Sequence, residues 1–437
     1  MNKPSFFAFL LLFLLTTQLF AQQYGNFKKV PLAVGLFPPL NTNGKQAGDC
    51  VNQVSLNLFV GYSAGLSGFE YSLFTNTERD FVHGIQIAGF GNFVTGDFTG
   101  FQFANFANFN KGVSNGFQFA GFSNFNYNQA DGVLAAGFFN FTKGKSLALQ
   151  FAGFANFCED AQGVQAAGFA NVVKGNGKVT QLAGFTNIIE GEVNGIQIAG
   201  FANYSKKKMQ KVQMAGFMNI SNNDVNGTQV AGFANIAKGN VNGVQISGYL
   251  NIAKNLTGVQ IGIVNIADSL KSGIPIGLLS IAKNGFHEFE FSVSEGFNAQ
   301  ATYKTGVDQF YNIFTVGTQV FGPKYSWGLG YGIGTHLSKT EQFKTQLEWI
   351  GYHINEGEAW TKQQNELEQL KLSFTKKINN HVSIFAGPTA NLMISKTKDN
   401  DENAFKSYFA PYDLVSDHGN KTILQGWIGF TAGIHLN

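Results

Sequence analysis

The sequence is poor in charged residues, and arginine is almost missing from it. Only 13% of the 437 residues are charged, and Arg79 is the one arginine among 30 basic residues. Nucleic-acid-binding domains carry clusters of guanidinium and ammonium groups on one face. A net charge of +3, spread over scattered lysines, gives no such footprint, so we expect no nucleic-acid partner.

Long apolar runs are missing too, except at the N-terminus. There Lys3 precedes the apolar run Phe6–Leu15, and Ala21 offers a small residue for cleavage. This pattern predicts a secretory signal peptide over residues 1–21. The residue directly after the cleavage site is Gln22 and not a cysteine, so we expect no lipid anchor. No later stretch reaches the ~18 apolar residues of a transmembrane helix. A structure that spans a membrane would have to be a closed β-barrel.

Motifs of known chemistry are also missing. The chain has no G-x-S-x-G nucleophile motif, no phosphate-binding P-loop and no paired-cysteine motif. Asp399–Glu402 has the oxygen ligands that Ca²⁺ prefers but not the spacing of a calcium-binding loop, so a solvated loop is the better interpretation. We predict a non-enzymatic protein without catalytic, cofactor-binding or metal-ligating residues and without a cofactor. The histidines show no metal-ligand spacing: His83, His287, His336, His353, His381, His418 and His435.

What the sequence does have is a repeat of about sixteen residues. The unit at 227–242 reads G-T-Q-V-A-G-F-A-N-I-A-K-G-N-V-N, with an aromatic residue between its glutamine and its asparagine. A fixed short period indicates an array in which each repeat buries itself against its neighbours. The glutamines stand at 86, 102, 118, 150, 165, 181, 197, 213, 229, 245 and 260, with Glu70, Leu134 and Pro275 at the remaining positions.

The composition of the unit favours strands, because glycine, asparagine, β-branched and aromatic residues dominate it. Charged residues are absent between glutamine and asparagine and collect after the asparagine, for example at Lys174, Glu190 and Lys206. That segment is therefore predicted to be a solvated turn.

Two geometries fit this pattern. In a β-solenoid, which we favour, each unit is one coil, and equal positions stack about 4.8 Å apart in ladders of Gln, Asn and Phe. Cys50 and Cys158 would then lie several coils apart and stay unpaired. In the alternative, each unit is one antiparallel strand of a membrane barrel, with Val244, Ile246 and Leu250 facing lipid.

The units also resemble a known family. GIQIAGFANY at 195–204, GVQIGIVNIADS at 258–269 and GIPIGLLSIAKNG at 273–285 are similar to the G-hydrophobic-Q-hydrophobic-G-x-x-N repeats of bacterial surface-repeat proteins of spirochaetes and Bacteroidota. The resemblance covers roughly 54–320 and implies an envelope location, but it carries over no catalytic or binding residue. Most units here have one residue more than the family's shorter form, the alanine of A-G-F.

After residue 285 the period gives way to strict alternation of apolar and small or polar residues. In 325–337, for example, Trp327, Leu329 and Ile333 share one face, and the glycines and His336 share the other. All four tryptophans fall in this region, as the aromatic girdles of a membrane barrel would require. A soluble antiparallel sandwich would give the same alternation. We count eight segments, about 287–294, 297–305, 309–320, 325–337, 342–354, 366–376, 381–395 and 422–436, and predict an eight-stranded antiparallel β-barrel.

These patterns predict an all-β protein with a signal peptide (1–21), an N-terminal cap (22–67), a solenoid-like repeat array (68–285) and a C-terminal barrel (286–437). We expect an exported outer-membrane or cell-surface protein with a structural or adhesive role. Its partners would be outer-membrane lipid at the barrel and a glycan or protein ligand on the repeat face. Two alternatives remain: a channel whose repeats are themselves membrane strands, and a β-helical lyase or hydrolase.

Overall fold

The structure is a computed structural model that describes residues 27–322, 324–396, 407–412, 414–418 and 422–436. The predicted signal peptide and Asp399–Glu402 lie outside these residues. Strands dominate the described chain, and its one helical segment is a 3₁₀ turn at Gly44–Asp49. None of the described residues belongs to a helix that is long and apolar enough to cross a membrane.

The chain divides into two compact units, Met1–Asn223 and Asp224–Asn437. In the first unit, parallel strands stack coil upon coil, and pairing joins residues sixteen apart, such as Asn92 with Asn108. The stacking includes β1, β3 and β4, much of which lies in the segment that the sequence assigns to a cap. The strands of this unit are β1 (Lys28–Phe37), β2 (Leu40–Asn41), β3 (Cys50–Asn57), β4 (Val60–Ser72), β5 (Thr75–Ala88), β6 (Gly91–Val94), β7 (Phe98–Ala104), β8 (Ala107–Asn110), β9 (Ser114–Ala120), β10 (Ser123–Asn126), β11 (Ala130–Ala136), β12 (Phe139–Ala152), β13 (Ala155–Ala167), β14 (Ala170–Val173), β15 (Gly177–Ala183), β16 (Thr186–Ile189), β17 (Val193–Ala199), β18 (Ala202–Ser205), β19 (Met209–Ala215) and β20 (Met218–Ser221).

A typical coil has a seven-residue strand, a Gly-Phe corner, a four-residue strand and a polar corner. Strand β9 carries the glutamine, Gly121 and Phe122 form the corner, and β10 carries the asparagine. The corner requires glycine, because a Cβ on Gly137 would lie 2.0 Å from the carbonyl oxygen of Gly121. The repeated glycine thus allows successive coils to stack closely at this corner.

The second unit begins with the same parallel stacking and ends in an antiparallel barrel. Its array strands are β21 (Val225–Ala231), β22 (Ala234–Ala237), β23 (Asn240–Ser247), β24 (Leu250–Ile261), β25 (Val264–Leu270), β26 (Ile274–Ile276) and β27 (Leu279–Ala282). Its barrel strands are β28 (Phe286–Ser294), β29 (Ala299–Val307), β30 (Phe310–Gln319), β31 (Ser326–Lys339), β32 (Phe343–Glu356), β33 (Asn365–Lys377), β34 (Val382–Ser395) and β36 (Ile423–Leu436), with the short β35 (Val415–His418) beside β36.

The barrel closes because β28 pairs with both β29 and β36. Its eight strands lie within two residues of the eight predicted segments. The all-β prediction of a solenoid followed by an eight-stranded barrel is therefore confirmed. The alternative geometry, with one antiparallel strand per repeat, is wrong: equal positions of successive repeats pair in parallel, as Gln229 does with Gln245.

One part of the girdle interpretation is also wrong. Trp349 and Trp360 are more than half exposed, but Trp427 is 2% exposed and faces the barrel interior. Its indole Nε1 donates to the carboxylate of Glu295 at 3.0 Å. An indole with an apolar body and one polar atom can serve inside a barrel when a partner accepts its N–H.

Candidate functional site

The interior of the array is built from amide ladders. The Nδ2 of Asn187 donates to the Oδ1 of Asn203 at 2.9 Å, and Asn203 donates in the same way to Asn219. The glutamines form a second ladder, in which Gln197 donates to Gln181 at 2.8 Å. These side chains are fully buried, and each amide forms hydrogen bonds with the equivalent amides of the neighbouring coils. The predicted Asn and Gln ladders are confirmed.

Each asparagine also holds a corner of the coil. The Nδ2 of Asn203 donates to the backbone oxygen of Met214 at 2.7 Å, and Asn92 donates likewise to Phe103 at 2.9 Å. A residue at this position therefore needs a donor pointing along the stack and another toward the main chain, which the amide group supplies.

Two carboxyl groups interrupt the amide pattern near the beginning of the array. Glu70 takes the glutamine position and accepts from Gln86 Nε2 at 3.0 Å, and Glu78 accepts from Ser63 Oγ. Burial raises the pKa of Glu70, and burial together with the neighbouring Glu70 raises the pKa of Glu78 well above its ordinary value. The interior therefore favours the neutral form of these groups.

The two cysteines are buried and free, as predicted. Cys158 faces Gln165 in the array interior, where Nε2 approaches its sulfur at 3.3 Å. Burial raises the pKa of the Cys158 thiol to about 12. Because the thiolate is the reactive form, this cysteine is chemically inert at neutral pH.

The outside of the array is apolar along one corner. There the phenylalanines stack face to face, with centroids 4.9 Å apart for Phe138–Phe154 and for Phe154–Phe169 and nearly parallel planes. About 40% of each ring is exposed, and since neighbours cover both faces, the exposed part is the ring edge. We call this row the phenylalanine ridge: Phe90, Phe106, Phe122, Phe138, Phe154, Phe169, Phe185 and Phe201.

Beside the ridge runs a groove of about 750 Å³. Its floor consists of the exposed corner glycines, which have no side chain to fill the space. Its wall consists of residues that directly follow the glutamines in the sequence. Asn105 is its one polar side chain, and no charged residue lines it. We call this feature the glycine groove: Gly121, Gly137, Gly153, Gly168 and Gly184 form the floor, and Phe103, Phe119, Phe151, Leu182 and Ile198 form the wall.

The opposite corner of the coil is polar, as predicted. Lys206 Nζ lies 3.4 Å from Glu190 Oε2 one coil away, and both side chains are about half exposed. Pairs of this kind in open solvent contribute little to stability. In cross-section a coil is therefore amphipathic, with an apolar Gly-Phe corner and a charged corner.

The barrel is apolar outside, and its interior contains many polar and charged side chains beside a cluster of buried apolar ones, such as Ile313, Ile350 and Met393. Along β28, Glu288, Glu290 and Ser292 are buried, whereas Phe289 and Phe291 are about half exposed. The same alternation orients β36, where Ile428, Phe430 and Ile434 face outward and Gln425, Thr431 and His435 face inward. A soluble sandwich or barrel has its apolar side chains inside.

The polar interior contains a network of buried charges. Lys304 Nζ lies 2.7 Å from Glu290 and 2.5 Å from Glu348, and Lys371 Nζ lies 2.6 Å from Glu290. Both lysines and both glutamates are at most 4% exposed. His435 adds an Nε2 contact to Glu290 at 3.0 Å. Buried charges of this kind persist because each has partners of opposite sign.

Both ends of the barrel lumen are covered. At one end the last array coil sits on the barrel, where Asn312 Nδ2 donates to Gly277 O at 2.6 Å and Thr305 Oγ1 to Ser280 O at 2.9 Å. At the other end Phe409 is fully buried, with its ring 4.9 Å from that of Phe297. The charge network lies between these two sets of contacts along the barrel.

A polar cleft of about 530 Å³ lies where the last coil meets the barrel. Lys339 and Lys344 line it, but each already has a carboxylate: Lys339 Nζ is 2.6 Å from Asp308, and Lys344 Nζ is 3.7 Å from Glu288. Lys271 also lines the cleft, so two of its three lysines are already compensated by carboxylates.

The described residues contain no group of three or more His, Cys, Asp or Glu side chains arranged to hold a metal ion. No site residues were predicted from the sequence. The predicted stacking of the phenylalanines is confirmed by the ridge, but the charge network and the groove were not predicted. The sequence did contain an indication of the charge network, because five charged residues occupy inward positions of the alternating strands: Glu288, Glu290, Lys304, Glu348 and Lys371.

No family model matches the chain, and neither a curated protein nor a solved structure matches it.

Proposed function

We propose that the chain is a non-enzymatic protein of a Gram-negative outer envelope, exported to the outer membrane or cell surface. Its C-terminal barrel is a lipid-embedded anchor, and its repeat array is a structural or adhesive scaffold. The observation that carries the proposal is the apolar outer surface of the barrel, which surrounds an interior that holds buried charges. Eight strands that expose Phe289, Phe291, Leu370, Phe374 and Phe430 while burying a charge network are suited to hydrocarbon outside and not to water.

The barrel is an anchor and not a pore. The lumen is occupied by the ion pairs of Lys304 and Lys371 and covered at one end by Phe409 and at the other by the last coil. Eight-stranded barrels are just wide enough for side chains to fill them. An ion would have to displace these buried ion pairs to pass.

The array is better suited to a protein partner than to a glycan. Aromatic side chains bind other rings and cations through their faces, and in the phenylalanine ridge neighbouring rings occupy those faces. A sugar would meet only ring edges. An apolar protein surface needs no free ring face and gains from burying the edges.

The array offers little for catalysis. Its exposed carboxylates, such as Glu159 and Glu190, lie on the polar corner, and Glu190 is already paired with Lys206. Hydrolases and lyases need convergent acid and base groups in a cleft. Polysaccharide cleavage that is abolished by Glu159→Gln or Glu190→Gln would contradict the non-enzymatic assignment.

Fractionation tests the location. The full-length protein should stay with membranes after an alkaline wash, need detergent for extraction, and migrate faster on a gel before heating than after it. Purified protein in planar bilayers should not conduct ions. Recovery of the intact protein in the soluble periplasm would overturn the anchor, and stable single-channel conductance would overturn the closed lumen.

A further inference from the structure

The phenylalanine ridge and the glycine groove lie side by side on the first unit and follow the same repeat. In each coil the ridge residue directly follows the floor glycine, as Phe154 follows Gly153. A projecting row next to a recessed row of equal period is self-complementary. If a second copy is related to the first by a two-fold axis parallel to the ridge, the ridge of each copy faces the groove of the other.

We propose that two copies of this chain dock through this surface, with the ridge of each seated in the groove of the other. The contact is isologous, because the same ridge and groove serve both partners. It lies within residues 90–201 of each chain and leaves the charged corners of both arrays in solvent.

The exposed area suffices for a stable dimer. Eight ridge rings that are 37–41% exposed, taken at 150–250 Å² each, offer roughly 500–800 Å². The groove wall adds to this, since Phe103, Phe151, Leu182 and Ile198 are each 40–43% exposed. Specific dimers bury about 800 Å² per partner, a size that the ridge and the groove wall reach together.

The lining chemistry selects an apolar partner of matching period. Apart from Asn105 no side chain in the groove can form a hydrogen bond, and the corner N–H groups are used between coils, as Gly137 N donates to Ala120 O at 3.1 Å. A glycan or an extended peptide would therefore lose hydrogen bonds to water and regain few. A second array repeats at the same spacing, close to 5 Å, and so keeps ridge and groove in register along the whole strip.

Crosslinking in intact membranes tests the contact without purification. Phe154→Cys places a thiol on the ridge, and Lys143→Cys places one on the charged corner as a matched control. The native Cys50 and Cys158 are buried, so the wild-type protein reports their background. With a short bis-maleimide, Phe154→Cys should give a covalent dimer, and Lys143→Cys should give no more than the wild type. Equal crosslinking at both positions, or none at Phe154→Cys, would overturn the proposal.

Sedimentation of the full-length protein in density-matched detergent gives a second measure. The triple variant Phe138→Ser, Phe154→Ser, Phe169→Ser should weaken the dimer at least about a hundredfold, because each ring loses an apolar burial site. The matched control is Phe109→Ser, Phe125→Ser, Phe157→Ser, which removes outward rings from the strand that follows the corner; none of these three residues lines the glycine groove. It should leave the dimer intact.

The remaining outcomes each support or overturn the contact. A dimer that survives the ridge variant, or one that both triple variants disrupt equally, would overturn the ridge-in-groove contact. A wild-type monomer at micromolar concentration would overturn the dimer. If that monomer also bound a fluorescent fatty acid that the ridge variant did not bind, the groove would be assigned to a hydrocarbon chain. If the ridge variant fails to fold, the single cysteine variants still test the contact.

Discussion

The array and the barrel both bury polar side chains and expose apolar ones. The two regions differ in the partners that these buried polar groups find. In the array each side chain lies beside a copy of itself, because the parallel strands pair equal positions of successive repeats. In the barrel the antiparallel strands bring unlike residues together, so that Lys304 meets Glu290 and Glu348. The direction of strand pairing thus decides which polar groups an interior can contain.

A group that must pair with its own copy has to donate and accept at once. Amides do both, which explains why Asn and Gln fill the array. A column of carboxylates or ammonium groups at strand spacing would place like charges about 4.8 Å apart, which is strongly unfavourable in a dry interior. The barrel has no such restriction, so it can close its lumen with ion pairs.

The largest effect is expected where the barrel loses one charge. Lys304→Met removes one of the two lysines that Glu290 and Glu348 share and leaves buried carboxylates undercompensated. Removing one member of a buried pair costs about 3–5 kcal/mol. Urea unfolding of the detergent-solubilised protein, followed by tryptophan fluorescence, measures this cost, since all four tryptophans lie in the C-terminal region.

The control for this variant is Lys377→Met, an exposed lysine near the end of β33. It should change the midpoint little, because surface charges contribute less than about 1 kcal/mol. Equal effects of the two variants would mean that water reaches the network and that the lumen is open.

In the array, the corresponding change is Asn203→Leu. It removes the acceptor of Asn187 and the donor to Asn219, both buried, and the donor to Met214 O, which is partly buried. Each unsatisfied group costs about 1–3 kcal/mol. Hydrogen exchange of peptides from the neighbouring coils should speed up accordingly, since local opening becomes easier.

Lys174→Ala provides the matched control on the charged corner, with an expected cost below about 1 kcal/mol. If the two substitutions had equal and small effects on exchange, the asparagine column would be open to water. The ladder would then contribute nothing to the stability of the array.

Glu70 places a carboxyl group at a glutamine position of the array, and this group predicts a pH effect. Its pKa is raised by burial, so between the ordinary carboxyl pKa and the raised one the folded state binds more protons than the unfolded state. Stability contributed by the protonated form is therefore present at low pH and lost as the pH rises through that window. Glu70→Gln restores the amide, so it should reduce this dependence to the part that Glu78 contributes and stabilise the first coils at neutral pH.

Hydrogen exchange of peptides around residues 57–86 at several pH values measures this effect, and Asp97→Asn, in a polar turn, serves as the control. A pH profile that is unchanged by Glu70→Gln, or that is altered equally by the control, would contradict it.

The fold was predictable because its registers are short-range or periodic. An in-register array repeats its sequence at the spacing of its coils, so Asn187, Asn203 and Asn219 reveal their own pairing. The barrel strands were predictable because one face of each must be apolar. The charge network was not, since Glu290 and Lys371 are 81 residues apart and meet only when the barrel closes. The inward Trp427 depends in the same way on Glu295, which lies 132 residues earlier.

The groove is hidden from the sequence for another reason. The repeated glycine predicts a strand corner, which it forms, but its effect on the outer surface depends on the side chains on either side of it. Only the exposure of Phe151 and Phe154, with Gly153 between them, reveals a recess beside a ridge.

The smallest expected effect is a gain in stability instead of a loss, and it depends on a single backbone angle. Two residues before the glutamine, most coils carry a glycine, and several of these have a positive φ, such as Gly116 at 139° and Gly243 at 144°. Lys211 occupies the same position with φ of 84°, a conformation that costs a side-chain-bearing residue about 1–2 kcal/mol. Lys211→Gly removes that strain but adds freedom to the unfolded chain, so the net gain in stability should be about 0.5–1 kcal/mol.

The control is Lys178→Gly, since Lys178 is an exposed lysine in β15 without a positive φ. This substitution should instead destabilise the array by a similar amount. Slower exchange in coils 193–221 for the first variant and faster exchange around 177–183 for the second would support this; effects of the same sign would contradict it.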